Sequence, residues 1–126
     1  MKTFYIPLAL LAALLLFSVI TGSYVQQCTQ EWTALLDQCD DFLREEQWER
    51  TENLLQETYR SWEKHTAIFH MILEHQDLDT AEQFFAGAFA ACRQRSSTEL
   101  QIYLYQLNSQ FRFLADTQKA DLKNIL

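Results

Sequence analysis

The chain reads as an all-α protein: one N-terminal transmembrane helix followed by a small antiparallel bundle of three to four helices. Three observations lead there. Residues 4–24 form an uncharged apolar run. Only two Gly and one Pro occur in 126 residues, whereas strands need turns that draw on both. Beyond the run, apolar side chains recur at the 3.6-residue spacing of amphipathic helices in four successive segments.

The run, FYIPLALLAALLLFSVITGSY from Phe4 to Tyr24, has the roughly 20 residues a membrane-spanning helix requires. Eleven of its residues between Phe4 and Ile20 are Leu, Ile, Phe or Val, which favours insertion by roughly 3 to 7 kcal/mol. Pro7 falls in the first turn, where a missing N–H costs little. Lys2 precedes the run and no Lys or Arg follows before Arg44, so the positive charge predicts a cytoplasmic N-terminus and an exported C-terminal part. Phe4, Tyr5 and Tyr24 stand where interfacial aromatics stand. The predicted division is a cytoplasmic N-terminus at 1–3, a signal anchor at 4–24, an exported bundle at 25–118 and a loosely ordered tail at 119–126. The rival is a signal peptide cleaved near Ser23, with Thr21 and Ser23 in place of the preferred Ala. Cys28 lacks a lipidation context. Ala9 and Ala13 have the spacing of helix packing in lipid, but Ala is common in such runs.

All 17 acidic residues and nine of the ten basic ones lie beyond Val25, leaving the exported part at 9 − 17 = −8. That charge repels nucleic acid and anionic headgroups, and it excludes nucleic-acid binding. About 100 residues supply one small core.

The first exported segment places Cys28, Trp32, Leu35, Leu36, Cys39, Phe42 and Leu43 on one stripe, and nothing between Tyr24 and Arg44 breaks a helix. The second, from near Glu46, repeats Trp48, Leu55, Trp62 and Phe69 at sevens, with Tyr59 and Ile72 alongside. Whether it is one helix to about His75 or two with a kink near Lys64 is left open by the sequence. The third, from near Asp77, opens on Asp79 with Glu82, which resembles a capping box. Leu78, Phe85, Ala88, Phe89 and Cys92 form its apolar face. Gly87 costs about 1 kcal/mol against Ala in a helix, which close approach of a neighbouring helix would offset. Ser96 with Glu99 predicts the start of the fourth, whose stripe is Leu100, Tyr103, Leu104, Leu107, Phe111 and Leu114. After about Gln118 the pattern weakens, with Leu122, Ile125 and Leu126 adding a loose final turn.

Few residues suggest chemistry. His65, His70 and His75 are spaced by five and so do not share a helix face. His75 reads as hydrogen-bonded near a helix end and the other two as solvated. His70 with Glu74 has metal-pair spacing, and a small-ligand or metal binder using His70, Glu74 and His75, with Asp79 nearby, is the second reading. Cys39 and Cys92 are the candidate disulfide pair, provided the first and third helices run side by side. Closing that loop would contribute roughly 4 kcal/mol in the chain-entropy model. The alternative is three small apolar side chains on core stripes. Trp32, Trp48 and Trp62 read as core anchors. Adjacent carboxylates such as Asp40 and Asp41 point apart on a helix. The chain has no Gly-rich phosphate loop, nucleophile elbow or metal-binding Cys cluster. No catalytic residue and no cofactor is expected.

With these elements in place, the chain resembles the bacterial domain-of-unknown-function family numbered 4363. The likeness rests on the apolar N-terminal segment and on Trp48 and Trp62 fourteen apart with Leu54 and Leu55 between them. It also rests on LEHQDLD at Leu73 to Asp79 and LYQLNSQFRFL at Leu104 to Leu114. The Phe- and Ala-rich run from Phe84 to Ala91 and the three cysteines depart from the pattern. The resemblance implies membrane location, a helical fold and a structural role for the element around His75. It supplies no reaction.

The reading with most support is a non-enzymatic, membrane-anchored module outside the cytoplasmic membrane that binds another membrane or envelope protein, with a homo-oligomer also open. Its motive is a surplus of apolar side chains on the fourth helix: Ile102, Tyr105 and Phe113 lie outside the buried stripe and would form the contact surface. A soluble factor released by cleavage near Ser23 is the other alternative.

Overall fold

In a computed structural model, which describes the backbone of residues 2–125 and the side chains of residues 3–120, the chain forms four α-helices: α1 Lys2–Arg44, α2 Trp48–Ile72, α3 His75–Arg93 and α4 Ser97–Ile125. Among the described residues there is no strand.

α1 is a single helix with two surfaces. Its apolar 18-residue window is 0 % buried inside the structure, with Phe4, Leu10, Leu14, Phe17 and Ile20 all exposed. From Val25 onward the same helix buries one stripe: Val25, Cys28, Trp32, Leu36, Cys39 and Leu43. The apolar run is therefore no core helix; it projects from the bundle as a candidate membrane span.

α1 ends without glycine. Glu46 takes the left-handed conformation (φ 59°); its N–H bonds the Leu43 carbonyl, and that of Gln47 bonds the Phe42 carbonyl, each at 2.9 Å. These two bonds make a Schellman cap. α3 ends the same way at Arg95 (φ 53°), with Arg95 bonding Cys92 and Ser96 bonding Ala91. Between α2 and α3 the chain needs only Leu73 and Glu74, both extended.

α2 is one continuous helix, Trp48–Ile72, which answers the question of one helix or two that the sequence left open. α3 begins at His75 with Glu74 at its N-cap, and no side chain caps it. Asp79 with Glu82 is thus no capping box. α4 begins just after Ser96, whose carbonyl accepts the Leu100 N–H at 3.0 Å. Its backbone continues as helix to Ile125, across most of the 119–126 stretch expected as a loose tail, and the Gln118 amide lies 3.5 Å from the Ile72 carbonyl. The side chains of Leu122, Ile125 and Leu126 lie outside the described residues.

The four helices alternate in direction around one core. α1 packs on α2 and α4, and α3 packs on the same two, while no Cα of α1 comes within 8 Å of any Cα of α3 among the described residues. α1 and α3 are diagonal partners. Aromatic rings fill the space between them: Trp32, Trp62, Phe69, Phe85 and Phe111 are fully buried, with Trp32 and Trp62 edge-to-face at 5.4 Å between centroids and Trp32 and Phe111 at 5.1 Å. Such pairs add about 0.5–1.5 kcal/mol each beyond their buried area.

Candidate functional site: surfaces and polar clusters

The diagonal placement of α1 and α3 decides the cysteines. A disulfide needs Cα atoms about 4.4–6.8 Å apart, and pairs beyond about 7 Å require backbone movement. Cys39 and Cys92 sit on helices that never approach so closely, and all three cysteines are buried free thiols. The expected Cys39–Cys92 bridge is corrected accordingly: the helices assumed to be neighbours face each other across the core. Burial pushes the Cys39 thiol up to about 12, reinforced by the nearby Cys92 and Asp40. Burial likewise raises Cys28 and Cys92. Thiols held protonated are poor nucleophiles.

The histidines do not sit as their spacing suggested. His70 and His75 share a hydrogen bond, Nδ1 to Nδ1 at 2.7 Å, one ring donating to the other. The five-residue step of 500° holds only along an unbroken helix; here α2 stops at Ile72 and the corner folds α3 back, bringing the rings together. His65, expected to be solvated, is half-buried, bonded to the Tyr24 hydroxyl and set against Trp32 and Phe69. Glu74 and Asp79 are exposed on α3's first turns. Among the described residues, no group of three or more His, Cys, Asp or Glu converges as metal ligands, and a zinc site takes four ligands.

The polar centre that the sequence concealed is Glu82. From α3 its Oε1 accepts the Trp62 indole N–H at 2.8 Å and its Oε2 accepts the Tyr59 hydroxyl at 3.0 Å. Both partners come from α2, so one carboxylate ties the two helices together. Loss of solvent, and then the Glu82 carboxylate, push the Tyr59 phenol up to about 12. A cleft of about 410 Å³ lies beside this cluster, bounded by Glu52, Gln56, Phe89 and Arg93. Both oxygens of Glu82 are already engaged, so the arrangement suits structural anchoring rather than proton transfer. Glu82 spaced with Tyr59 and Trp62 carries no local signal; only the facing of α2 and α3 reveals it.

On α4, Ile102, Tyr105 and Phe113 are 51 %, 74 % and 49 % exposed. They follow one another at i, i+3 and i+11, on one face of the helix. Tyr105 and Phe113 also line a shallow groove against Phe84 of α3. Trp32 and Trp62 are core, while Trp48 is only partly buried and lies under the Arg95 guanidinium, 5.7 Å from its ring centroid.

Compared with family models, residues 19–125 match the domain of unknown function DUF4363. The chain belongs to that family. The match takes in all of α2, α3 and α4 and the bundle part of α1. No curated protein matches the chain. No solved structure matches it either. DUF4363 membership therefore agrees with the expected family and assigns no activity.

Proposed function

We propose that this DUF4363 protein is a non-enzymatic, membrane-anchored helical module, its bundle on the extracytoplasmic side, which binds another membrane or envelope protein through the exposed face of α4. The observation that carries the reading is the solvent-facing series Ile102, Tyr105 and Phe113. A four-helix bundle needs one buried stripe per helix, and α4 already supplies it with Leu100, Leu104, Leu107, Phe111 and Leu114. A second apolar face spends solubility for no gain within the monomer and suits a partner. The wholly unburied apolar end of α1 supports anchoring, and Lys2 supports the orientation. In support of a non-enzymatic role, the thiols are held protonated and Glu82 is occupied.

The test is a photocrosslinking residue in place of Tyr105 in intact membranes. The expected result is one discrete adduct, lost in Ile102→Glu and Phe113→Glu variants that remain folded. A crosslink pattern unchanged by those substitutions overturns the reading.

One observation favours a second reading, a divalent-cation or small-ligand binder: His70 and His75 face each other through their Nδ1 atoms. Titration calorimetry of the full protein with Zn²⁺ decides it. Saturable heat at micromolar protein, lost in His70→Ala, supports this reading, and no heat rejects it. Cleavage near Ser23 would leave Tyr24 and Val25 in the bundle. Sequencing the N-terminus of the native protein separates that secreted form from the anchored one.

A further inference from the structure

The exposed surface of α2 changes character along its length. Up to Lys64 its exposed positions are Glu49, Arg50, Asn53, Glu57, Arg60, Glu63 and Lys64, every one polar; beyond His65 they are Ala67, Ile68, His70 and Met71. Met71 is 85 % exposed and Ile68 47 %. α1 changes in the same layer. Its exposed positions just beyond Tyr24 are Gln27, Gln30 and Glu31, whereas those before Thr21 are almost all apolar. The two changes are tied together physically, because the Tyr24 hydroxyl is hydrogen-bonded to His65. α4 passes the same level at Gln118, which reaches the Ile72 carbonyl and, with Lys119, lines a hollow against Val19 and Gly22 of α1.

We infer that the last two turns of α2 dip into the bilayer's interfacial layer, with Ala67, Ile68 and Met71 against lipid and the Tyr24–His65 layer at headgroup height. This rests on the anchored reading above. The occupant is the bilayer rather than a protein because the patch follows directly on His65, whose hydrogen-bond partner Tyr24 stands at the upper end of α1's apolar surface. Lys64 and Lys119, both exposed near that level, can extend to lipid phosphates while their stems stay apolar. Tyr24 occupies the aromatic position common at such boundaries. The bundle would then sit on the membrane with a fixed tilt and rotation, and α4's outer face would be presented at a defined height.

The test uses the full chain in nanodiscs of phosphatidylcholine and phosphatidylglycerol. Nitroxide labels are placed singly through Leu14→Cys, Asn53→Cys and Met71→Cys. The native cysteines are buried, so the unsubstituted chain serves as the labelling control. Relative accessibility to oxygen and to a water-soluble nickel chelate reports depth. The expected result is that positions 14 and 71 both favour oxygen, severalfold over position 53. Position 14 in lipid with position 71 matching position 53 overturns the inference and leaves the anchor standing. Position 14 in water overturns both.

Discussion

At the scale of single residues, Glu82 and Gly87 show how much an inter-helix contact can ask of one position. Hydrogen bonds to a charged group contribute about 1.5–3 kcal/mol, and an orphaned buried donor costs about 1–3 kcal/mol. Glu82→Ala is therefore expected to cost about 2–4 kcal/mol, and Glu82→Gln, which keeps one good acceptor, about half of that; urea unfolding followed by tryptophan fluorescence checks both. A Cβ added at Gly87 would run into the Tyr103 ring of α4, the close approach that its helix penalty implied. Gly87→Ala is expected to lower stability despite the gain of about 1 kcal/mol in helix propensity. In a Tyr103→Ala background the same change should raise it. An effect of one sign in both backgrounds removes the steric explanation. Cys39 adds a pH dependence. Its folded thiol titrates at about 12 against 9.0 for the free group, so the folded state holds the proton more tightly. The stability this contributes is whole below pH 9 and drains away as pH rises from there to 12. Replacing Cys39 by Ala should make that alkaline limb shallower in denaturation midpoints measured across it, Tyr59 and the other two thiols supplying what remains.

At the scale of elements, the helices were legible wherever a long stripe spoke for itself. Leu55, Trp62 and Phe69, and Leu100, Leu104, Leu107, Phe111 and Leu114, are buried as their spacing required. The ends were less legible. Asp79 with Glu82 imitated a start signal, but the chain begins α3 four residues earlier, because Leu73 and Glu74 suffice to reverse direction. Ser96 preceded a true start, since Arg95 in the left-handed conformation stops α3 and frees the chain to turn. Left-handed non-glycine residues cost about 1–2 kcal/mol. Glu46→Gly, at an exposed turn with no other hydrogen-bonding duty described for its side chain, is expected to gain up to about 1 kcal/mol in thermal or urea unfolding. No change or a loss would mean that Glu46 is not strained in the folded state.

At the scale of the whole molecule, the projecting part of α1 contributes nothing to the core, whose first buried residue is Val25. A chain beginning at Thr21 is expected to fold to the same bundle, with helical circular dichroism and one cooperative transition. A molten, noncooperative product would show that residues 4–20 matter to packing. Helical content, the projecting apolar helix and the family were all readable from the residues in order, because each depends on neighbours three, four or seven positions away. The pairing of helices was not readable: four amphipathic helices can close a bundle with different neighbours, and that choice placed α1 and α3 on a diagonal. It separated Cys39 from Cys92 and buried the indole of Trp62 against Glu82. Local periodicity by itself determined that this chain is helical and which stripe of each helix faces inward, since burial of apolar surface drives both. Only the tertiary structure decided which polar and sulfur-bearing side chains meet, because those meetings depend on the order of helices around the core, and a periodic stripe carries no record of its neighbour.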